Sequence, residues 1–254
     1  MDVFVLPDAA AAAQMAAERL RETMMHARAA RGKAVLGLAT GSTPETVYAK
    51  LVEWHKSNIL SFENVTTYNL DEYYPISPLD DKSYRSYMHR HLFSHVDISP
   101  NRAHVLDGTV PEAMLAEHAA AFERWIESDG GLDLQLLGIG RNGHIAFNEP
   151  SDLTVAEALK LSTRLVELHP VTRGDAAREF GSEERVIPRA LTMGVATILA
   201  ARSILMLATG AHKAEAVASA LTGPMTASVP ASLLQSVSER VIWVLDRSAA
   251  AALA

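Results

Sequence analysis

A histidine stands inside a glycine-rich run, Gly138-Ile139-Gly140-Arg141-Asn142-Gly143-His144, and a glutamate, Glu149, follows five residues later. A carboxylate beside an imidazole orients the ring and tunes its proton affinity, so such a pair moves protons near neutral pH. Two adjacent carboxylates, Asp71 and Glu72, lie in Asn69-Leu70-Asp71-Glu72-Tyr73-Tyr74. Neighbours in sequence point in different directions, so one is expected to face a crevice as a general base and the other to face solvent or a partner. A third cluster, Thr40-Gly41-Ser42-Thr43-Pro44, combines a glycine that lets the backbone approach an anion with three hydroxyl donors. It lacks the lysine of a Walker A loop. Two cations, Arg178 and Lys213, complete the set, since charge-assisted hydrogen bonds from such groups hold phosphate strongly. Each cluster also has a bland reading: a capped helix start, a solvated acidic turn, a structural histidine, a surface charge.

What sets these clusters apart is their place after predicted strands. Short apolar runs predict strands over residues 34–39, 65–69, 134–138, 161–168, 204–208 and 241–245. Helices are expected from an Asp8 N-cap to about residue 30 with Gly32 as stop, and over 45–55, 83–93, 111–128, 188–201 and 212–222. Alternating strands and helices imply an α/β fold of Rossmann-like, doubly wound type, with a mainly parallel sheet covered on both faces. Such sheets bind ligands beyond the carboxyl ends of their strands, where the clusters would gather. No repeat or linker divides the chain, so a single domain over 1–254 is expected. The Ala-rich stretches at 9–13 and 249–254 read as compositional bias.

The 254 residues suffice for a sizeable core, and 48% hydrophobic with 21% charged residues is an ordinary globular balance. A net charge of −7 gives no general attraction for nucleic acid or anionic membranes, so any anion must be held by local donors. The lack of cysteine removes disulfides, thiolate metal sites and a cysteine nucleophile together. The first twenty residues carry no basic leader, and Asp2, Pro7 and Asp8 interrupt any apolar run, so neither a signal peptide nor a membrane span is expected.

From residue 36 to about residue 213 the clusters resemble the glucosamine-6-phosphate deaminase/isomerase family. The runs Asn69-Leu70-Asp71-Glu72-Tyr73 and Gly143-His144-Ile145-Ala146-Phe147-Asn148-Glu149-Pro150 carry the resemblance most specifically, with Ser86-Tyr87-Met88-His89-Arg90 and His95-Val96-Asp97-Ile98 adding to it. The resemblance implies a cytoplasmic enzyme without metal or nicotinamide cofactor, acting on a small amino-sugar phosphate. It implies Asp71 as the base that moves a proton from C2 toward C1. His144 would be the ring-opening acid/base, with Glu149 as its partner. Thr40, Gly41, Ser42, Thr43, Arg178 and Lys213 would form a phosphate clamp.

Departures from the family pattern are few. Many members carry aspartate where this chain has Asn142, which orients the histidine without adding charge. Arg164 matches one cationic position of an activator site found in some members, but a lysine two residues later is Val166 here, and the chain ends soon after its last strand. Allosteric activation is therefore not expected, and either a monomer or a homo-oligomer is open. Residues 161–184, polar and charged around Arg178, are expected to act as a lid. Three rival readings remain at this level: a galactosamine-6-phosphate deaminase, a 6-phosphogluconolactonase, and a non-catalytic sugar-phosphate sensor.

Overall fold

The computed structural model describes residues 1–253, so Ala254, at the tip of the Ala-rich end, lies outside the described residues. Ten strands form: β1 (Asp2–Leu6), β2 (Ala34–Leu38), β3 (Val65–Asn69), β4 (Asp71–Tyr74), β5 (Ala103–His104), β6 (Leu134–Leu137), β7 (Arg164–Glu167), β8 (Arg189–Thr192), β9 (Ile204–Ala208) and β10 (Val241–Asp246). The helices are α1 (Ala9–Arg31), α2 (Ser42–Lys56), α3 (Tyr84–His91), α4 (Leu115–Ser128), α5 (Val155–Ala158), α6 (Pro170–Phe180), α7 (Val195–Leu199) and α8 (Ala214–Thr222).

Seven strands make one parallel sheet in the order β1-β10-β9-β6-β2-β3-β5. Its inner strands β2, β3, β6 and β9 are buried at every residue, as a sheet covered on both faces requires. From β2 the chain winds outward through β3 to β5, then returns to β6 on the other side and winds through β9 to β10. The winding reverses between β2 and β6, which is the switch point where such sheets open a crevice. Helix α1 begins as expected, with the Asp8 carboxylate accepting the Ala11 N–H at 2.8 Å, and ends at Gly32 with φ 74°. It packs on α2 and against β2, β9 and β10.

Three expectations need correction. Residues 188–201 are not one helix: Arg189–Thr192 is strand β8 and only Val195–Leu199 is helical. β8 is the centre of a second, antiparallel sheet, β4-β8-β7, and pairing on both sides outweighs its local helix preference. Gly194 ends that strand with its backbone against Leu161 and Ser162, where a side chain would collide. The strand expected at 161–168 narrows to Arg164–Glu167 and belongs to this small sheet, not the parallel one. The acidic pair is not a turn either. Leu70 crosses between the sheets, its N–H on Leu38 and its carbonyl accepting from Met193, and Asp71 and Glu72 open strand β4. Strands β1 and β5 and helices α5 and α6 lie outside the elements that the apolar pattern predicts. No helix among the described residues is long and apolar enough to cross a membrane.

Candidate active site

A cavity of about 750 Å³ opens at the switch point, within the range of small-molecule sites. Residues beyond the carboxyl ends of β2, β3, β6 and β9 line it, with α3 and α6 as its remaining walls.

The loop after β2 turns at Gly41, whose φ of 97° favours glycine. Helix α2 starts at Ser42, three residues earlier than expected, and no side chain caps it. Its first-turn N–H groups and the hydroxyls of Thr40, Ser42 and Thr43 therefore face the cavity side of the fold, an arrangement that suits an anion. The Tyr87 hydroxyl donates to the Gly41 carbonyl at 2.7 Å and steadies the turn.

The strand period of two separates the acidic pair. Asp71 lines the cavity although only 5% exposed, and makes no ion pair among the described residues. Burial, and then the charge of Glu72, push its carboxyl well above the usual range. Glu72 faces the protein interior, where the expectation of solvent or a partner is corrected. Its carboxylate accepts from the Ser83 hydroxyl (2.6 Å) and from the N–H groups of Tyr84 (2.8 Å), Arg85 (3.1 Å) and Tyr73 (2.9 Å). It thereby secures the first turn of α3, with Ser83 as N-cap. Burial raises its carboxyl even so, against these four bonds.

The run after β6 is a tight loop. The Gly140 N–H donates to the His144 carbonyl, Gly143 has φ 84° and Ala146 φ 50°. Asn148 donates to the carbonyls of Ile145 and Met193, and Arg164 donates to Asn148 Oδ1 at 3.0 Å, fastening the loop to the small sheet. His144 Nδ1 lies 3.2 Å from Glu149 Oε2. Asn142 bridges the pair: Nδ2 donates to Glu149 Oε2 at 2.9 Å, and Oδ1 accepts the His144 N–H at 3.2 Å. Burial opposes ionisation of Glu149, yet the bonds from His144, Thr172 and Asn142 and the charge of the ring prevail and lower its pKa to about 2. Glu149 and Asn142 stand behind His144, which alone of the three lines the cavity.

Lys213 lines the cavity beyond β9, where a 3₁₀ turn over Ala211–Lys213 precedes α8. Burial lowers its pKa. Arg178 is exposed on α6 and does not line the cavity. The positions of α6 that do, Thr172, Asp175, Ala176 and Glu179, follow the spacing of one helical face, and Arg178 falls off it. A cation that the sequence reading left unassigned, Arg141, does line the cavity and makes a two-bond ion pair with Asp175, at 2.5 and 3.0 Å. Thr172 and Asp175 were also missed. The available signal was Pro170 at the first position of a helix, but the stretch has no apolar period to mark it. Among the described residues no three His, Asp or Glu side chains gather as a metal site would need.

Comparison with known proteins decides the relationship. A family described as glucosamine-6-phosphate isomerases/6-phosphogluconolactonase matches residues 7–243. This chain belongs to that family.

Within the family, a glucosamine-6-phosphate deaminase of Pseudoalteromonas translucida is 42% identical over 256 residues, covering 100% of this chain and 91% of that protein. One of Bacillus velezensis is 45% identical, over 85% of this chain and 87% of the relative. Among solved structures, a monomeric glucosamine-6-phosphate deaminase aligns with TM-score 0.92 and 40% identity, covering 99% of this chain and all of the other. A 6-phosphogluconolactonase from Trypanosoma brucei aligns with TM-score 0.81 at 20% identity, which establishes a shared fold alone.

Proposed function

We propose that this chain is a glucosamine-6-phosphate deaminase, converting its substrate and water to fructose-6-phosphate and ammonia. The observation that carries the proposal is the convergence on one cavity of a buried, unpaired Asp71 and the His144–Glu149 pair, in a chain 40% identical along its length to a solved deaminase.

The chemistry asks for these residue types. The closed sugar hides its carbonyl as a hemiacetal. With Nδ1–H held by Glu149, His144 Nε2 is free to take the C1 hydroxyl proton and pass a proton to the ring oxygen as the C1–O bond breaks. In the open aldose, Asp71 removes the C2 proton while the substrate's C2 ammonium gives up one that reaches O1, so that a neutral enaminol forms; Asp71 then returns its proton to C1, leaving an iminium at C2. Water adds there and ammonia leaves, so a ketose remains. A carboxylate with raised pKa is a stronger base than a solvated one, which suits proton abstraction from carbon.

The Thr40–Thr43 loop and Lys213 hold the phosphate and orient the reacting carbons. Arg178 lies off the cavity face of α6 as that helix is seated, and joins them when the part of the 161–184 lid beyond Thr172 turns inward over the bound sugar. The proposal includes a net hydrolysis, a cytoplasmic location and action as a monomer, the last supported by likeness to a structure described as monomeric.

The test is to incubate the protein with glucosamine-6-phosphate and measure ammonia and fructose-6-phosphate together. Equal amounts of both are expected. Neither product from this sugar, with turnover of galactosamine-6-phosphate or of 6-phosphogluconolactone instead, would replace the proposal with the corresponding rival.

A further inference from the structure

Two elements meet at the His144–Glu149 pair. One is the loop after β6, which carries both residues and Asn142. The other is α6, the helix roofing the cavity. Thr172, 6% exposed on α6, places its Oγ1 3.2 Å from His144 Nδ1, the same nitrogen that faces Glu149 Oε2. One turn earlier, the N–H of His169, the N-cap of α6, donates to Glu149 Oε1 at 3.3 Å.

The donor count at this junction is restrictive. A neutral imidazole with Nε2 free as a base carries its one proton on Nδ1. That proton goes to the carboxylate, because a charge-assisted bond is stronger than one to a hydroxyl. The Thr172 hydroxyl then has no lone pair to accept on Nδ1. Its own proton is directed to Glu149, the remaining acceptor of the group. Glu149 so receives His144 Nδ1–H and the Asn142 amide from its own loop and the His169 N–H from α6, and by this count the Thr172 hydroxyl as well, which also helps hold its pKa down. Half of the donors that fix the carboxylate, and through it the ring, come from a helix that the catalytic loop does not contain.

We propose that Thr172 is a positioning residue that makes the tautomer and orientation of His144 depend on the seating of α6. With α6 seated, the hydroxyl locks Glu149 and the ring presents Nε2 to the cavity. With α6 lifted, Glu149 loses two of its four donors and the ring loses its fixed orientation. The device ties ring opening to a covered cavity. Thr172 does not touch the sugar in this scheme and acts only through His144. The proposal rests on the assignment of His144 as the ring-opening group.

Thr172→Val keeps the shape and removes the hydroxyl, and Thr172→Ser keeps the hydroxyl and removes a methyl. With glucosamine-6-phosphate as substrate, Thr172→Val is expected to lower kcat about tenfold, the scale of one hydrogen bond to a charged group, with KM within about twofold. Thr172→Ser is expected to stay within about threefold of the parent in kcat. The ¹⁵N shifts of the His144 ring, assigned by comparison with His144→Gln, report the tautomer without turnover. They should show Nδ1 protonated in the parent and the Ser variant, and a mixture in the Val variant. Parent-like kcat and ring shifts in Thr172→Val overturn the proposal. So does equal loss in Ser and Val, which would mean packing alone. An inactive parent would instead remove the deaminase assignment, and the ring shifts would still decide whether Thr172 sets the tautomer.

Discussion

Gly140 lies flat beneath the His144 ring: a β-carbon at 140 would come inside 3.0 Å of the ring's Cε1, Nδ1 and Nε2. The backbone of Gly140 is not left-handed, so the need for glycine here is space and not conformation. Gly140→Ala must push the imidazole off Glu149. Because the ring is at the cavity edge, it moves more cheaply than the core does. We expect kcat to fall about 10²-fold, the lower end of a general acid/base contribution, with little change in thermal midpoint. Kinetics and a melting curve on one preparation decide this, and a normal kcat would separate ring position from catalysis.

Asp71 is buried without a counter-charge, so it serves chemistry at a cost to stability. Its folded pKa is raised, so the native state binds the proton more tightly than the unfolded chain. Its contribution to stability therefore declines as pH rises from the ordinary aspartate value through the raised one. Asp71→Asn should cut turnover by about 10²–10⁴ and leave KM nearly unchanged. It should also raise stability at pH 7, because it removes the cost of holding a charge in the interior. Steady-state rates and urea midpoints check both halves, and a destabilised Asn variant would contradict the account of the burial.

Glu72 differs from its neighbour in role. Glu72→Ala leaves the Ser83 hydroxyl and the Tyr84 N–H without their acceptor at the start of α3, while the Arg85 N–H keeps its bond to Ser83 Oγ. A loss of about 1–3 kcal/mol is expected for the unsatisfied donors. Glu72→Gln, which keeps one acceptor oxygen, should recover part of it. Urea unfolding followed by circular dichroism gives the comparison.

The depressed pKa of Glu149 has the opposite sign. Its folded value of about 2 lies below its ordinary value, so its stabilisation is complete above the ordinary glutamate range and is lost as pH falls toward about 2. The drop in urea midpoint between pH 6 and pH 3 should be smaller in Glu149→Gln than in the parent. Comparing the two chains cancels Asp71 and Glu72, whose raised values act the other way.

Lys213 lies far from the catalytic loop in sequence and shares its cavity. Contacts to a phosphate are alike in ground and transition states. Lys213→Ala should therefore raise KM about tenfold or more with kcat near the parent value. Inhibition by inorganic phosphate should weaken in parallel. An unchanged inhibition constant would take Lys213 out of the anion site.

The parallel core of the fold was legible in the sequence because β2, β9 and β10 are short, mainly apolar runs, β6 is one broken only by Gln135, and β3, VTTYN, is rich in β-branched and aromatic residues; all but Ile242 of these residues are buried. The same reading located Asp71, His144, Glu149 and Lys213, since reactive side chains after such strands converge by topology. What it could not contain was the second sheet. Residues 189–192 suit helix or strand, and pairing with β7 and with β4, the latter more than a hundred residues back in the chain, decided between them. That sheet turned Glu72 inward and Asp71 toward the cavity. Helix α6 was hidden for a related reason: only one of its residues, Thr172, is buried, so it shows no apolar stripe. Its seat above His144, which put Thr172, Asp175 and Arg141 into the site and left Arg178 outside, arises from contacts between distant segments. Local pattern records which residues seek burial, and only the packed chain determines which of them meet.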